Sequence, residues 1–158
     1  MAPTGVLEST TLGLAMRQST WLYPAVETVH IIGLALLVGS IAVLDLRLMG
    51  FSRGLPVRKL AGHTLPWTLG SFFLILPSGL MMFAAHATDL IASPVFALKM
   101  GLVFAAVTNA AVFHATIFRS AVAWDVEVMP PIAARASALL SLLLWFTVIA
   151  CGRLLAYT

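Results

Sequence analysis

Four long runs of apolar residues constrain this chain more than anything else in it. They cover about residues 24–44, 65–85, 94–118 and 132–155. The second, "LPWTLGSFFLILPSGLMMFAA", contains no charge at all. A hydrocarbon layer of about 30 Å needs roughly 20 residues of helix at 1.5 Å each, and each run meets that length. Composition agrees. Of 158 residues, 61% are hydrophobic and 9% charged, with a mean hydropathy of +1.02. A soluble domain is nearer half apolar and a quarter charged. The expected fold is all-α: a membrane-embedded antiparallel four-helix bundle, one domain over residues 1–158.

The details of each run support helices. Pro24, Pro94 and Pro131 stand before or at helix starts, where a missing N–H costs little. Pro77 inside the second run predicts a kink. Trp21 and Tyr23 at the first run suit a membrane interface. Upstream, "GVLESTTLGLAMRQST" predicts a short helix over about residues 5–19 on the membrane surface. Glu8, Ser9, Thr10 and Thr11 interrupt any signal-peptide core, so the first spanning helix is expected to be its own insertion signal. Short linkers predict that sequential helices are antiparallel neighbours.

The basic residues give an orientation. Arg47, Arg53, Arg58, Lys59, Arg119 and Arg135 fall on one side, against Arg17, Lys99 and Arg153 on the other. The positive-inside bias therefore puts both termini outside. A net charge of +3 without a basic, aromatic-laced stripe argues against nucleic acid. The single cysteine, Cys151, excludes an internal disulfide and is expected to pack as a small hydrophobe.

Ionisable groups within a span are costly and direct attention to function. On the inner side, His63 lies about 6 Å inward of Lys59 and His114 about 7.5 Å inward of Arg119. Imidazoles at matched depth on antiparallel neighbours suit opposing axial ligands of one haem iron. The row Ala106, Ala110, His114, beside Gly101, Ala105 and Asn109, would offer a smooth wall. The alternative leaves His63 at the lipid phosphates and His114 bonded to a backbone carbonyl. His30 lies deeper on the outer side than His86, which reads as interfacial, so a second histidine pair there fits poorly.

Glu27 and His30 are i,i+3 neighbours. A Glu27–Lys99 ion pair at the outer rim would account for both charges, and Glu27 could also orient His30 as a metal or proton ligand. Asp45, at a helix end that disfavours an anion, should have a cationic partner, Arg47 or Arg58. Asn109 should hydrogen-bond another helix. Asp125 and Glu127 are expected to be solvated. No phosphate loop, HExxH, Cys pair or GxSxG is present, so nothing indicates a catalytic centre.

The stretch "WLYPAVETVHIIGLALLVGSIAVLDLRLMG", followed by "LPW", "PSGLMMF", "SPVFALKMGL" and "NAAVFH", resembles an uncharacterised family of small bacterial four-helix membrane proteins. That resemblance covers roughly Trp21 to His114. It implies the architecture and a multi-pass position in the bacterial inner (cytoplasmic) membrane, but no site. Three functions follow as expectations. The first is a b-type cytochrome-like electron-transfer subunit, with haem b on His63 and His114, and His30 a further candidate ligand or metal-binding group. The second is a metal-ion or proton permease using Glu27, His30, Lys99 and Asn109. The third is a structural subunit of a larger membrane complex. Expected partners are the lipid bilayer, a redox partner or such a complex, and further copies of the chain.

Overall fold

The computed structural model describes residues 3–157. Helices α1 (Pro3–Glu8) and α2 (Thr11–Gln18) precede the long α3 (Leu22–Leu48) and α4 (Val57–Ala85). A short α5 (Ala87–Ala92) leads into α6 (Pro94–Ala115), and a 3-10 segment (Ile117–Trp124) precedes α7 (Ile132–Leu154). Among the described residues, α3, α4, α6 and α7 are long and apolar enough to cross a membrane, and no strand occurs.

Local chemistry sets the boundaries. Ser93 caps α6, its hydroxyl accepting from the Phe96 N–H at 3.4 Å, with Pro94 in the first turn. Helix α4 begins well before residue 65, directly after Pro56. Its first amides, which have no partner within the helix, find a distant cap. The Asp125 carbonyl accepts from Val57 N–H at 3.1 Å, and Asp125 Oδ1 accepts from Arg58 N–H at 2.8 Å. Asp125 therefore ties the last interhelical loop to α4 instead of standing free in solvent. The third span ends at Ala115, three residues short of expectation, because the chain tightens into the 3-10 segment that buries Ala121 and Trp124.

The expected surface helix is two helices. Thr10 breaks it and caps α2, accepting from Gly13 N–H at 3.2 Å. The pair docks on the bundle. Met16, 1% exposed, packs with Val26 and Ala85, flanked by Tyr23, Met81 and Met82. A Cβ on Gly13 would come within 2.8 Å of the Leu7 and Glu8 carbonyls and 2.9 Å of the Ala84 carbonyl. Only glycine permits that approach. Glu8 latches this collar. Its Oε1 accepts from Thr88 N–H at 2.7 Å, and its carboxylate and carbonyl both engage Arg17. The Thr88 amide, followed by Arg17, holds the Glu8 carboxyl below the usual carboxylate range.

Helices α3 and α4 share a long seam. His30 meets Ser78, Gly33 meets Ile75, and Ser40 meets Thr68, so paired positions run in opposite order along the two helices. A Cβ on Gly33 would lie 2.8 Å from Ile75 Cγ1, which explains the close approach. Helix α7 joins α3 to α6. Helices α4 and α6, sequential in the chain, are not backbone neighbours: no Cα pair between them falls within 8 Å. Bulk keeps them apart. Phe72, Ile75 and Trp145 fill the centre beside Ala106, and Phe83 stacks on Phe96 at 5.8 Å near the α5 end.

Candidate functional site

His30 sits on the α3–α4 seam, half-buried. Its Nδ1 is 2.9 Å from Ser78 Oγ. The Ser78 hydroxyl has one proton and gives it to its own helix, at the Leu74 carbonyl, with the Ile75 carbonyl at 3.2 Å. The oxygen must then accept from Nδ1–H, which leaves Nε2 of a neutral ring as the lone-pair nitrogen. Gly79 gives clearance beside the ring: a Cβ there would lie 3.2 Å from Cε1. One serine and one glycine thus fix both the tautomer and the free edge of the imidazole.

Two charges act on this ring, Lys99 from α6 and Glu27 from its own helix. Lys99 is half-buried and runs beside Gly152 of α7, where a Cβ would be 3.5 Å from Nζ. No hydrogen bond or ion pair holds its ammonium among the described residues. Glu27 is exposed and bonds to nothing among them. The expected Glu27–Lys99 ion pair is not formed. Lys99 turns toward Gly152 of α7, and Glu27 is exposed on α3.

The inner histidines are not brought together. His114 is half-buried, edge-on to Phe113 and Phe118 at ring distances of 5.2 Å. It lines a cavity of about 240 Å³ with Arg58, Ala61, Gly62, Leu65 and Phe118. On α4 those positions form one stripe at i, i+3, i+4 and i+7. His63 lies roughly 140° around the helix from its middle and is exposed. The two rings therefore face different ways, and the opposed axial pair expected from matched depth is absent. His86 is exposed at the α4–α5 junction, edge-on to Tyr23 at 5.7 Å.

The remaining polar residues are sorted by their partners. Asn109 and Ser137 exchange hydrogen bonds at 3.0 Å, joining α6 to α7 as expected of an amide in an apolar span. Asp45, 6% exposed, takes a hydrogen bond from Ser141 of α7 and keeps Oδ2 unpartnered. It does not pair with Arg47 or Arg58. Residues two apart on a helix point about 160° from each other, so Arg47 faces the loops instead. There its Nε donates to the Leu55 carbonyl at 2.7 Å, and Nη2 to the Arg53 and Asp125 carbonyls at 3.1 and 3.0 Å.

A family model matches residues 7–158. The chain belongs to DUF6644, a family of unknown function. No curated protein and no solved structure matches it. Family membership accordingly carries no residue roles, and the site rests on geometry. Sequence reasoning singled out His30 and Lys99 but missed Ser78 and Gly79, which orient the ring. The adjacent "SG" in "PSGLMM", about two helical turns from the second run's end, was the available signal.

Proposed function

We propose that this is a multi-pass protein of a bacterial inner membrane, an antiparallel four-helix bundle with both termini outside. Its centre is His30, a proton-handling group in the outer half of a proton permease or proton-coupled subunit. The membrane reading rests on four sufficiently long apolar helices, the antiparallel reading on the reversed order of seam partners, and the orientation on the bias of basic residues.

One observation carries the functional reading: a tautomer-fixed imidazole with its Nε2 open, within electrostatic reach of a lysine that has no counter-ion among the described residues. In an apolar interior two bases within electrostatic reach of each other cannot both hold charge cheaply. The pair is suited to share one positive charge between them. A metal ion at Nε2 would instead meet an ammonium-bearing side chain, which repels it. Asp45, with its unpartnered oxygen and Ser141, offers a second protonatable group in the inner half. The Ser40–Thr68 hydroxyl pair, 2.7 Å apart, lies on the seam between the two halves.

Reconstitution into liposomes with an entrapped pH dye tests this. Wild-type protein should pass protons under an imposed potential. His30→Gln and Lys99→Met should lose most of that flux, and Glu27→Gln should keep it. Wild-type flux no greater than that of empty liposomes would end the proposal. So would a reduced-minus-oxidised haem spectrum that vanishes in His30→Gln, which would point to electron transfer.

A further inference from the structure

The cavity beside His114 has no part in the proton centre, and its chemistry is different. It lies at the inner end of the bundle, between the second residue of α4 (Arg58) and the last turn of α6 (His114). In a membrane this is the level where acyl chains give way to phosphates. Its walls are otherwise apolar: Ala61, Gly62, Leu65 and Phe118. A Cβ on Gly62 would meet nothing within 4 Å, so this wall is not packed by the protein itself. The cavity is open to the surface between α4 and the last turn of α6, helices that stay more than 8 Å apart between Cα atoms.

Two polar residues at its border, the exposed Arg58 and the half-buried His114, lack side-chain partners. Neither the Arg58 guanidinium nor the His114 ring has a hydrogen bond among the described residues, although the Arg58 backbone N–H is held by Asp125. Lys59, Arg119 and Arg135 at the same end also have no ion pair among those residues. An apolar slot with a cationic mouth, at the depth of the lipid phosphates, matches one class of molecule.

We infer that this cavity binds an anionic glycerophospholipid, its phosphate on Arg58 and His114 and one acyl chain between α4 and α6 past Leu65. The inference rests on the membrane reading above but not on proton transfer. Arginine is the natural phosphate partner, and an interfacial cation attracts anionic lipid by about 1 kcal/mol, roughly fivefold in affinity.

Native mass spectrometry from mild detergent, with equal amounts of phosphatidylglycerol and phosphatidylcholine of identical chains, tests it. Wild-type protein should retain phosphatidylglycerol about fivefold over phosphatidylcholine. Arg58→Gln should bring that ratio close to one. Gly62→Leu, whose side chain enters unfilled space, should keep its helicity by circular dichroism and lose retention of both lipids. Equal retention by wild type, or undiminished retention in Gly62→Leu, overturns the site. Displacement by millimolar inorganic phosphate would assign the mouth to free phosphate and overturn the lipid. Alkaline carbonate extraction of the same membranes separates the two failures. Release of the protein refutes the membrane reading, whereas a retained protein indifferent to headgroup refutes only the lipid site.

Discussion

The two ends of the bundle each draw a cation at least partly out of solvent, and they treat it in opposite ways. At the end carrying the α3–α4 loop, Arg47, 1% exposed, donates to three loop carbonyls. It gathers the α3–α4 loop and the loop before α7 around one planar fork, which suits a guanidinium. At the opposite end Lys99 is half-buried with no acceptor among the described residues. A buried charge held by fixed loop carbonyls is architecture, even though Arg47 keeps one nitrogen, Nη1, unpartnered; a partly exposed charge with no acceptor is a place where something can happen. Burial alone would have ranked Arg47 as the more suggestive residue. Its partners show that it is the less reactive.

The sharpest test of this contrast is removal of each charge in turn. Arg47→Met strips three carbonyls of their donor and should destabilise the protein by about 3–5 kcal/mol, seen as a large fall in detergent unfolding temperature. Loss of under about 1 kcal/mol would mean that Arg47 is not the clamp on these loops. Lys99→Met should do the reverse, leaving the unfolding temperature unchanged or slightly raised, because an unpaired ammonium is replaced by an apolar chain of similar length. A clear loss of stability there would mean that Lys99 has a structural partner after all.

The smallest expected effect concerns the collar. The Glu8 carboxyl is held below its ordinary range by the Thr88 amide and Arg17, so its contribution is present above the unfolded carboxylate pKa. It is lost as pH falls through the lower folded value. Hydrogen exchange at the Thr88 amide should therefore accelerate at acidic pH beyond the intrinsic trend, and Glu8→Gln should remove that pH dependence. The rest of the bundle should keep its protection. Acceleration throughout α3 and α4 would show the collar to be part of one cooperative unit.

How much was legible in the sequence follows from what the apolar runs encode. Length and uniform hydrophobicity located α3, α4, α6 and α7, and the isolated amide of Asn109 announced its own hydrogen bond. Facing was not legible. A helix that is apolar all round has no polar stripe to mark its inside, so equal depth for His63 and His114 could not reveal that they point apart. Neighbour order failed for a related reason. Linker length says nothing about the bulk of Phe72, Phe83, Phe96 and Trp145, which separates α4 from α6. The break at Thr10 was readable in principle, since a threonine three residues before Gly13 is a helix-cap pattern. The Asp125 cap was not, because its partners are 67 and 68 positions away in the chain.

The reversed pairing along α3 and α4 works as a ruler. Residues 30 and 78, 33 and 75, 40 and 68 each sum to the same value. One residue inserted between Gly33 and Ser40 would swing every later side chain about 100°. Either the imidazole or the mid-seam hydroxyl would then lose its mate. Homologous chains that preserve both contacts are then held to the same count of residues between them, with a small residue kept at position 33.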